Sequence, residues 1–354
     1  MAYTTIDDPS AYFHTQLYTG DAQSSKVITN DANAGNFKPD WLWIKERSST
    51  SSHLLFDSTR GTNKKLTSNS TDSEETFAYL SSYDTNGFTI GTSDGAINDS
   101  QTYVAWQWKA NGGTTTTNDA SATSVGTIDS VYQANTTAGF SIVTYTGTGS
   151  AGSVAHGLGS APKVVICKMR SGTGEWITWH TGIDIQAKLS LNTTDALYNP
   201  SSNIYWNGTL PSSTVFSIGT SGSLNANGST YVAYCFSEVK GYSKFGYYRG
   251  NGNADGTFVY LGFKPKFVIG KSSSRVDAWF MHDTTRSTFN PVDDRLMPHL
   301  NYAEGAEFDI DFLSNGYKIL DSEAQINGNG ETYVYLAFAE NPFVSSKGVP
   351  TTAR

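Results

Sequence analysis

Four short motifs recur three times, in the same order, along this 354-residue chain. Self-similarity at a fixed period decides architecture before any single motif does. The first motif is a Tyr-x-Gly corner: Tyr18-Thr19-Gly20, Tyr145-Thr146-Gly147 and Tyr248-Arg249-Gly250. The second is a Pro-led apolar run ending in Lys, at Pro39 to Lys45, Pro162 to Lys168 and Pro265 to Lys271. An aromatic strand follows at Phe88-Thr89-Ile90, Phe216-Ser217-Ile218 and Tyr317-Lys318-Ile319. Each unit closes on Thr102-Tyr103-Val104-Ala105-Trp106, Thr230-Tyr231-Val232-Ala233-Tyr234 or Thr332-Tyr333-Val334-Tyr335-Leu336. From landmark Pro to closing Tyr the separations are 64, 69 and 68 residues. The chain is three copies of one unit.

Every landmark reads as β-structure. A proline heads a strand where no ladder donor is needed. Trp41 and Trp43 lie two residues apart and share a face, as do Trp106 and Trp108, which predicts a sheet packed against a partner sheet. Asn227-Gly228 and Asn329-Gly330 suit the positive φ of tight turns and predict hairpins joining each closing strand to its predecessor. In the first copy Asn98-Asp99-Ser100-Gln101 stands there and predicts a longer or bulged turn. No sustained 3.6-residue apolar period runs through the chain, so helix is expected to be minor. The expected fold is all-β, with three tandem β-sandwich-like modules.

The boundaries follow from the landmarks. A segment over 1–10 precedes modules over 11–110, 138–238 and 242–343, and a tail covers 344–354. Residues 111–137 are rich in Gly, Thr and Ser and read as a linker, with a short extra strand within Val125 to Tyr132. Modules two and three, separated by a few residues near Gly241, are expected to be rigidly coupled. The first is free to pivot in this reading, and tandem copies suggest an extended rod.

Charge and termini exclude several functions. With 24 Lys and Arg against 32 Asp and Glu, the net charge of −8 repels phosphate backbones, so nucleic acid is not an expected partner. The opening Met1 to Asp8 has neither a basic n-region nor an apolar run, which argues against export and against a secreted bacterial adhesin. No apolar run is long enough for a membrane span, so membrane insertion is not expected. Cys167 and Cys235 are expected to be free buried thiols, in keeping with assembly in a reducing cytoplasm.

Candidate chemistry is sparse. Six histidines are present: His14, His53, His156, His180, His282 and His299. His180 and His282 fall at nearly equivalent repeat positions where the first copy has Phe56, which favours packing over catalysis. No two histidines have zinc-site spacing. Asp57-Ser58-Thr59-Arg60 is echoed by Asp283-Thr284-Thr285-Arg286 and offers a base and an anion clamp, but the second copy has Thr181-Gly182-Ile183-Asp184. A capped turn with an Arg–carboxylate pair is the favoured reading. Glu74-Glu75, Asp293-Asp294 and Asp309 with Asp311 are acidic clusters without a glycosidase pattern. Asp94, Asn98 and Asp99 carry calcium-type oxygens without EF-hand spacing. Gly147-Thr148-Gly149 and Gly250-Asn251-Gly252 lack the helix and Lys of a phosphate loop. No catalytic, cofactor-binding or metal residue is therefore assigned, and no cofactor is expected.

The string from Tyr12-Phe13 through Tyr18-Thr19-Gly20, Pro39 to Lys45, Leu54 to Gly61, Asn86 to Gly91 and Tyr103 to Trp106 resembles a known family. It is similar to an uncharacterised β-rich repeat domain of virion proteins from marine and cyanobacterial tailed phages. The opening Met1 to Gly20 resembles the start of such proteins, and modules two and three match more weakly. The resemblance implies a virion location after assembly in the host cytoplasm, and a non-enzymatic structural role. A tail appendage such as a fibre or receptor-binding protein is the first expectation, a capsid decoration or head-fibre protein the alternative, and a polysaccharide depolymerase the second alternative. Other virion proteins, a host cell-surface glycan and further copies of the chain are the partners it implies. Exposed Trp and Tyr rings would be the means of stacking on sugars, but nearly all eight Trp are expected to be sandwich core.

Overall fold

The computed structural model describes residues 2–31 and 37–351. Met1 and residues 352–354 of the tail lie outside the described residues. Strand makes up 42% and helix 6%, so the chain is all-β.

Each module carries four equivalent strands in its larger sheet. The opening strands are Phe13–Thr19, Phe140–Thr146 and Ser243–Arg249. The Pro-led strands are Trp41–Glu46, Val164–Met169 and Phe263–Ser272. Beside these lie the side strands Leu54–Asp57, Ile177–His180 and Trp279–Asp283. The closing strands Thr102–Trp108, Thr230–Phe236 and Thr332–Pro342 pair antiparallel with both the opening and the Pro-led strands. A second, smaller antiparallel sheet holds the aromatic strands Gly87–Ile90, Val215–Ile218 and Gly316–Ile319. They pair with Lys26–Thr29, Gly152–Ala155 and Phe258–Tyr260 respectively.

The hairpins predicted from Asn-Gly do not form. Each closing strand lies in the larger sheet and its predecessor in the smaller one. Gly228 and Gly330 do take positive φ, near 76° and 77°, but their turns carry the chain between sheets. A one-turn helix precedes each turn, at Gly95–Asn98, Gly222–Asn225 and Ala324–Asn327. Asn98 ends the first helix, where a longer turn was expected, so all three copies share one device.

That device explains the Tyr-x-Gly corner. Each helix ends on a fully buried Asn whose side chain holds the corner loop. Asn225 Oδ1 accepts from Thr148 N at 2.8 Å, and its Nδ2 donates to Ser150 O at 2.7 Å. The corner tyrosines Tyr18, Tyr145 and Tyr248 donate to Ile97, Leu224 and Ile326 carbonyls on the same helices. They stack on the closing tyrosines Tyr103, Tyr231 and Tyr333 with centroids 4.9, 5.1 and 4.9 Å apart. Buried phenols satisfied in this way add both apolar area and a fixed register. The glycine lets the loop pass against the turn: a Cβ on Gly147 would sit 2.4 Å from Ala226 O. Gly147→Ala is expected to cost about 1–3 kcal/mol in urea denaturation. Gly222→Ala, whose Cβ would meet nothing nearer than 3.8 Å, is the near-neutral control.

The modules do not form a rod. One face of every larger sheet points into a common core that includes Trp41, Trp43, Trp106 and Trp108 from the first module. The second contributes Phe140, Ile166, Trp176, Tyr234 and Phe236, and the third Phe245, Phe267, Ile269, Trp279 and Phe338. Trp41 stacks on Tyr234 at 4.3 Å, and Phe13 on Phe338 at 5.2 Å. The opposite faces pack on the smaller sheets and form three separate module cores. A pivot of the first module would expose its buried tryptophans to water, so the shared core holds it in place.

The segment over 111–137 is likewise part of the fold. Strands Thr116–Asn118 and Ser130–Asn135 extend the second module's sheet beyond its opening strand, and Ile128 bridges to Val154 of the smaller sheet. Its Gly- and Thr-rich composition reflects turns, not a loose tether.

Candidate functional site

The Asp57–Arg60 turn was the best sequence candidate for chemistry, and it sits between modules. Asp57 Oδ1 accepts from Arg60 N at 2.8 Å, while Oδ2 meets Arg60 Nε at 2.5 Å. Tyr234 of the second module donates its hydroxyl to the same Oδ2 at 2.8 Å. Glu74 accepts from Arg60 Nη1 at 3.1 Å and from Arg170 Nε, across the seam, at 2.8 Å. Both Asp57 and Arg60 side chains are fully buried. Burial lowers the pKa of the guanidinium, but Asp57, Tyr234 and Glu74 more than reverse this, so it stays charged.

The third module meets the first in the same way. Asp283 accepts from Arg286 Nε at 2.5 Å and from Trp106 Nε1, in the first module, at 3.0 Å. Glu304 takes Arg286 Nη1 at 2.9 Å and Arg47 Nη2, in the first module, at 2.6 Å. Burial raises the Asp283 pKa, and the Arg286 charge and its hydrogen bonds bring it below the ordinary carboxylate range. These are structural ion pairs in which every carboxylate oxygen has a partner.

Register then places a histidine where the third equivalent Asp would be. Asp57 pairs with Trp41, His180 with Val164 and Asp283 with Phe267, each two residues after its landmark Pro. His180 is thus the counterpart of Asp57 and Asp283, and His282 alone is the counterpart of Phe56. The near-equivalence expected for the two histidines is off by one residue. The partner explains the change. Position 336 of the third module is Leu, where the other closing strands carry Trp106 and Tyr234. Leucine donates nothing, so a buried Asp there would be unpaired. His180 Nδ1 instead accepts from Gly182 N at 2.9 Å, which leaves Nε2–H to donate to Tyr335 O at 3.0 Å.

The contacts therefore run head to tail around a ring. Module one reaches two through Glu74 N to Arg170 O, two reaches three through Leu197 N to Ser273 O, and three reaches one through Glu304 N to Arg47 O. Equivalent residues make all three bonds, each 2.8 or 2.9 Å long. At the centre remains an apolar cavity of about 20 Å³, lined by Trp41, Phe267 and Ile269 among others. It is no ligand site, since a bound water would find almost no polar partner there.

The landmark lysines line the same seams. Lys168 Nζ donates to Thr71 O, across the seam, at 3.1 Å, and Lys271 Nζ to Ser272 O at 2.8 Å. Lys45 caps the Glu46 carbonyl likewise. Burial lowers all three to about 8. Unfolded lysine titrates near 10.4, so above pH 8 the unfolded chain holds the extra protons and stability rises with pH. The expected gain is about 1 kcal/mol per lysine by pH 9, read from denaturant midpoints. The buried thiols oppose this gain from about pH 8.5, where unfolded cysteine ionises, and the buried tyrosine hydroxyls reverse it near pH 10. Lys168→Met is expected to lower the change between pH 8 and 9 by about 1 kcal/mol.

The other sequence candidates are scattered. His156 Nε2 meets Ser212 O at 3.2 Å, and His282 Nε2 meets Glu307 O at 3.3 Å. Trp43 Nε1 donates to His53 Nδ1, His14 lies beside Gln16, and His299 is buried near Lys271 and Arg295. Glu75 pairs with Lys65. Asp293 accepts from Ser287 Oγ at 3.3 Å, and Asp294 faces Arg47 at 3.9 Å. Burial and the neighbouring Asp293, Asp321 and Asp311 raise the pKa of Asp309. Asp94 caps Ala96 N, Asn98 holds the corner loop, and Asp99 accepts from Ser100 N, so their oxygens serve backbone amides. The Gly147 and Gly250 loops are the corners already described. Among the described residues no group of three His, Cys, Asp or Glu is placed to hold a metal ion. Cys167 and Cys235 are free and buried. All eight tryptophans are buried, which leaves no indole for sugar stacking. No helix among the described residues is long and apolar enough to cross a membrane.

One feature escaped the sequence reading. The third module's opening strand ends its sheet, and beside it Phe258–Tyr260 ends the smaller sheet. Between them runs an open groove of about 420 Å³, with Tyr247, Phe258 and Tyr260 at 63, 44 and 52% exposure. Ser243-Lys244-Phe245-Gly246-Tyr247-Tyr248-Arg249 carries no pattern that separates an open strand from a covered one.

The ring of three modules spans almost the whole chain, and so does one family model. A model described as a domain of unknown function, DUF7483, matches residues 8–342. The chain belongs to the DUF7483 family. The DUF7483 match begins ahead of the first opening strand and ends with the last closing strand, so it covers all three modules as one stretch. No curated protein matches the chain, and no solved structure matches it.

Proposed function

We propose that this DUF7483 chain is a non-enzymatic structural protein of a phage particle, carried in a tail appendage. The observation behind this reading is where the ionisable side chains go. The two most enzyme-like constellations, Asp57–Arg60–Glu74 and Asp283–Arg286–Glu304, lock neighbouring modules together and leave no carboxylate oxygen without a protein partner. Such a body suits a part that must keep its shape and present fixed surfaces. With every tryptophan buried, exposed tyrosines such as Tyr198 and Tyr302 are the rings left for a host glycan.

Capsid decoration is the second reading, and the closed ring favours it. A body with three similar outward faces fits a position where three capsid subunits meet. Cryo-EM of the particle separates the two. Density at the tail supports the appendage, and density on the capsid lattice replaces it with decoration. A depolymerase would release reducing sugar from host polysaccharide, and that result would overturn both.

A further inference from the structure

The three opening strands are equivalent, yet their outer edges meet different fates. In the second module the edge is covered. Ser130–Asn135 pairs with Phe140–Thr146 from Ser130↔Tyr145 to Asn135↔Phe140, and Tyr132 packs against the module core. Together with the Ile128–Val154 bridge, this strand closes the side between the two sheets. In the first module the edge carries Gln16, whose side chain turns back to Leu17 O and accepts from Asp31 N. In the third module no added strand covers the edge among the described residues; Glu238 Oε2 accepts from Phe245 N at 3.4 Å, and Thr257 Oγ1 donates to Arg249 O at 2.7 Å. The counterpart of Gln16 and Val143 is Gly246, because all three pair with equivalent closing residues, Ala105, Ala233 and Tyr335.

An end strand offers a row of main-chain donors and acceptors, and exposed aromatic rings alongside it offer apolar area. We propose that the outer edge of Ser243–Arg249 binds an extended polypeptide segment of a partner protein, added antiparallel as Ser130–Asn135 is added in the second module. The groove also says which segment fits. Tyr335 lies over Gly246, its hydroxyl 2.7 Å from where a Gly246 Cβ would be, and borders the groove on the side where the second module has Tyr132. The incoming residue opposite Gly246 is therefore small. Two positions on, Lys244 stands where the second module has Ser141, opposite Ala134. An acidic residue there meets its ammonium. The partner is an extended segment with a small residue followed two places later by Asp or Glu. The edge keeps this property whichever particle the chain belongs to.

The test uses the full chain and a synthetic peptide of residues 128–137 carrying Tyr132→Ala and Ala134→Glu. The peptide is expected to slow hydrogen exchange of the amides over 243–249 at least tenfold, saturably, and to leave 13–19 unchanged. Lys244→Glu, a surface change, is expected to weaken binding about tenfold. Tyr247→Pro removes an outward-facing N–H of the edge and is expected to abolish it, with circular dichroism checking the fold. No protection at millimolar peptide overturns the proposal, as does protection confined to other strands. Two further results overturn it in favour of another occupant. One is an edge already protected in the free chain with sedimentation as a dimer, which assigns it to a second copy. The other is protection of the groove by host oligosaccharide but not by peptide.

Discussion

Lowering the pH from 7 to 5 is expected to remove several kcal/mol of stability, most of what a typical domain has. The cause is a set of histidines held neutral. Burial lowers His156, His180 and His299 to about 4, with the Lys271 and Arg295 charges adding to the effect at His299. Burial and Arg286 lower His282 to about 3. Unfolded histidine titrates near 6.5, so below that the unfolded chain takes up protons the folded chain refuses. Each such group contributes stability that is present above pH 6.5 and lost as pH falls toward 4. By pH 5 that loss is about 2 kcal/mol per histidine. His14 and His53 shift the same way. The buried Asp40 carboxyl, raised by desolvation, opposes this weakly. Urea midpoints across pH 7.5 to 5 measure it, and a flat profile would sink the explanation. His282→Phe, which installs the residue type of Phe56, is expected to reduce proton uptake on unfolding at pH 5 by about one.

Arg60→Met is expected to cost about 3–5 kcal/mol, because it leaves the Asp57 carboxylate fully buried without its cation, while Glu74 keeps Arg170. The loss falls on the seam between modules one and two, so it should appear in the tryptophan fluorescence of Trp41 and Trp176. Restoring neutrality with Asp57→Leu beside Arg60→Met should recover a good part of the stability, since a buried pair is often no better than apolar residues of like volume. The seam between modules two and three already manages without one, through His180 and the Tyr335 carbonyl. If the single variant proves as stable as the parent, the ion pair is not holding the seam.

The repeat, the all-β class and the minor helix were legible because they rest on period and residue type. The turn partners were not. Asn227-Gly228 reports a local φ, which the structure honours, and says nothing about which sheet the next strand enters. The shared core had a signal that the alternation of Trp41 and Trp43 hid. Trp41-Leu42-Trp43-Ile44 and Val164-Val165-Ile166-Cys167 are unbroken apolar runs, and every residue in them is buried. Such runs mark strands covered on both faces, which a simple two-sheet module does not require. The buried Asn98, Asn225 and Asn327 formed a fifth landmark, masked because Asn in a loop reads as an ordinary turn residue. The groove of the third module depends on what is missing beside a strand, and no residue in that strand encodes an absence.

The head-to-tail seams carry a consequence for how such a chain can change length. Stacked repeats grow or shrink by a unit, because each new copy meets the free end of the last. A heterologous contact that closes after three has no free end. Duplicating one module would leave a copy with no place in the ring, and deleting one would bare the tryptophans at the centre. In this chain the number three is fixed by geometry, and changes of length fit only in loops, at edges and outside the ring.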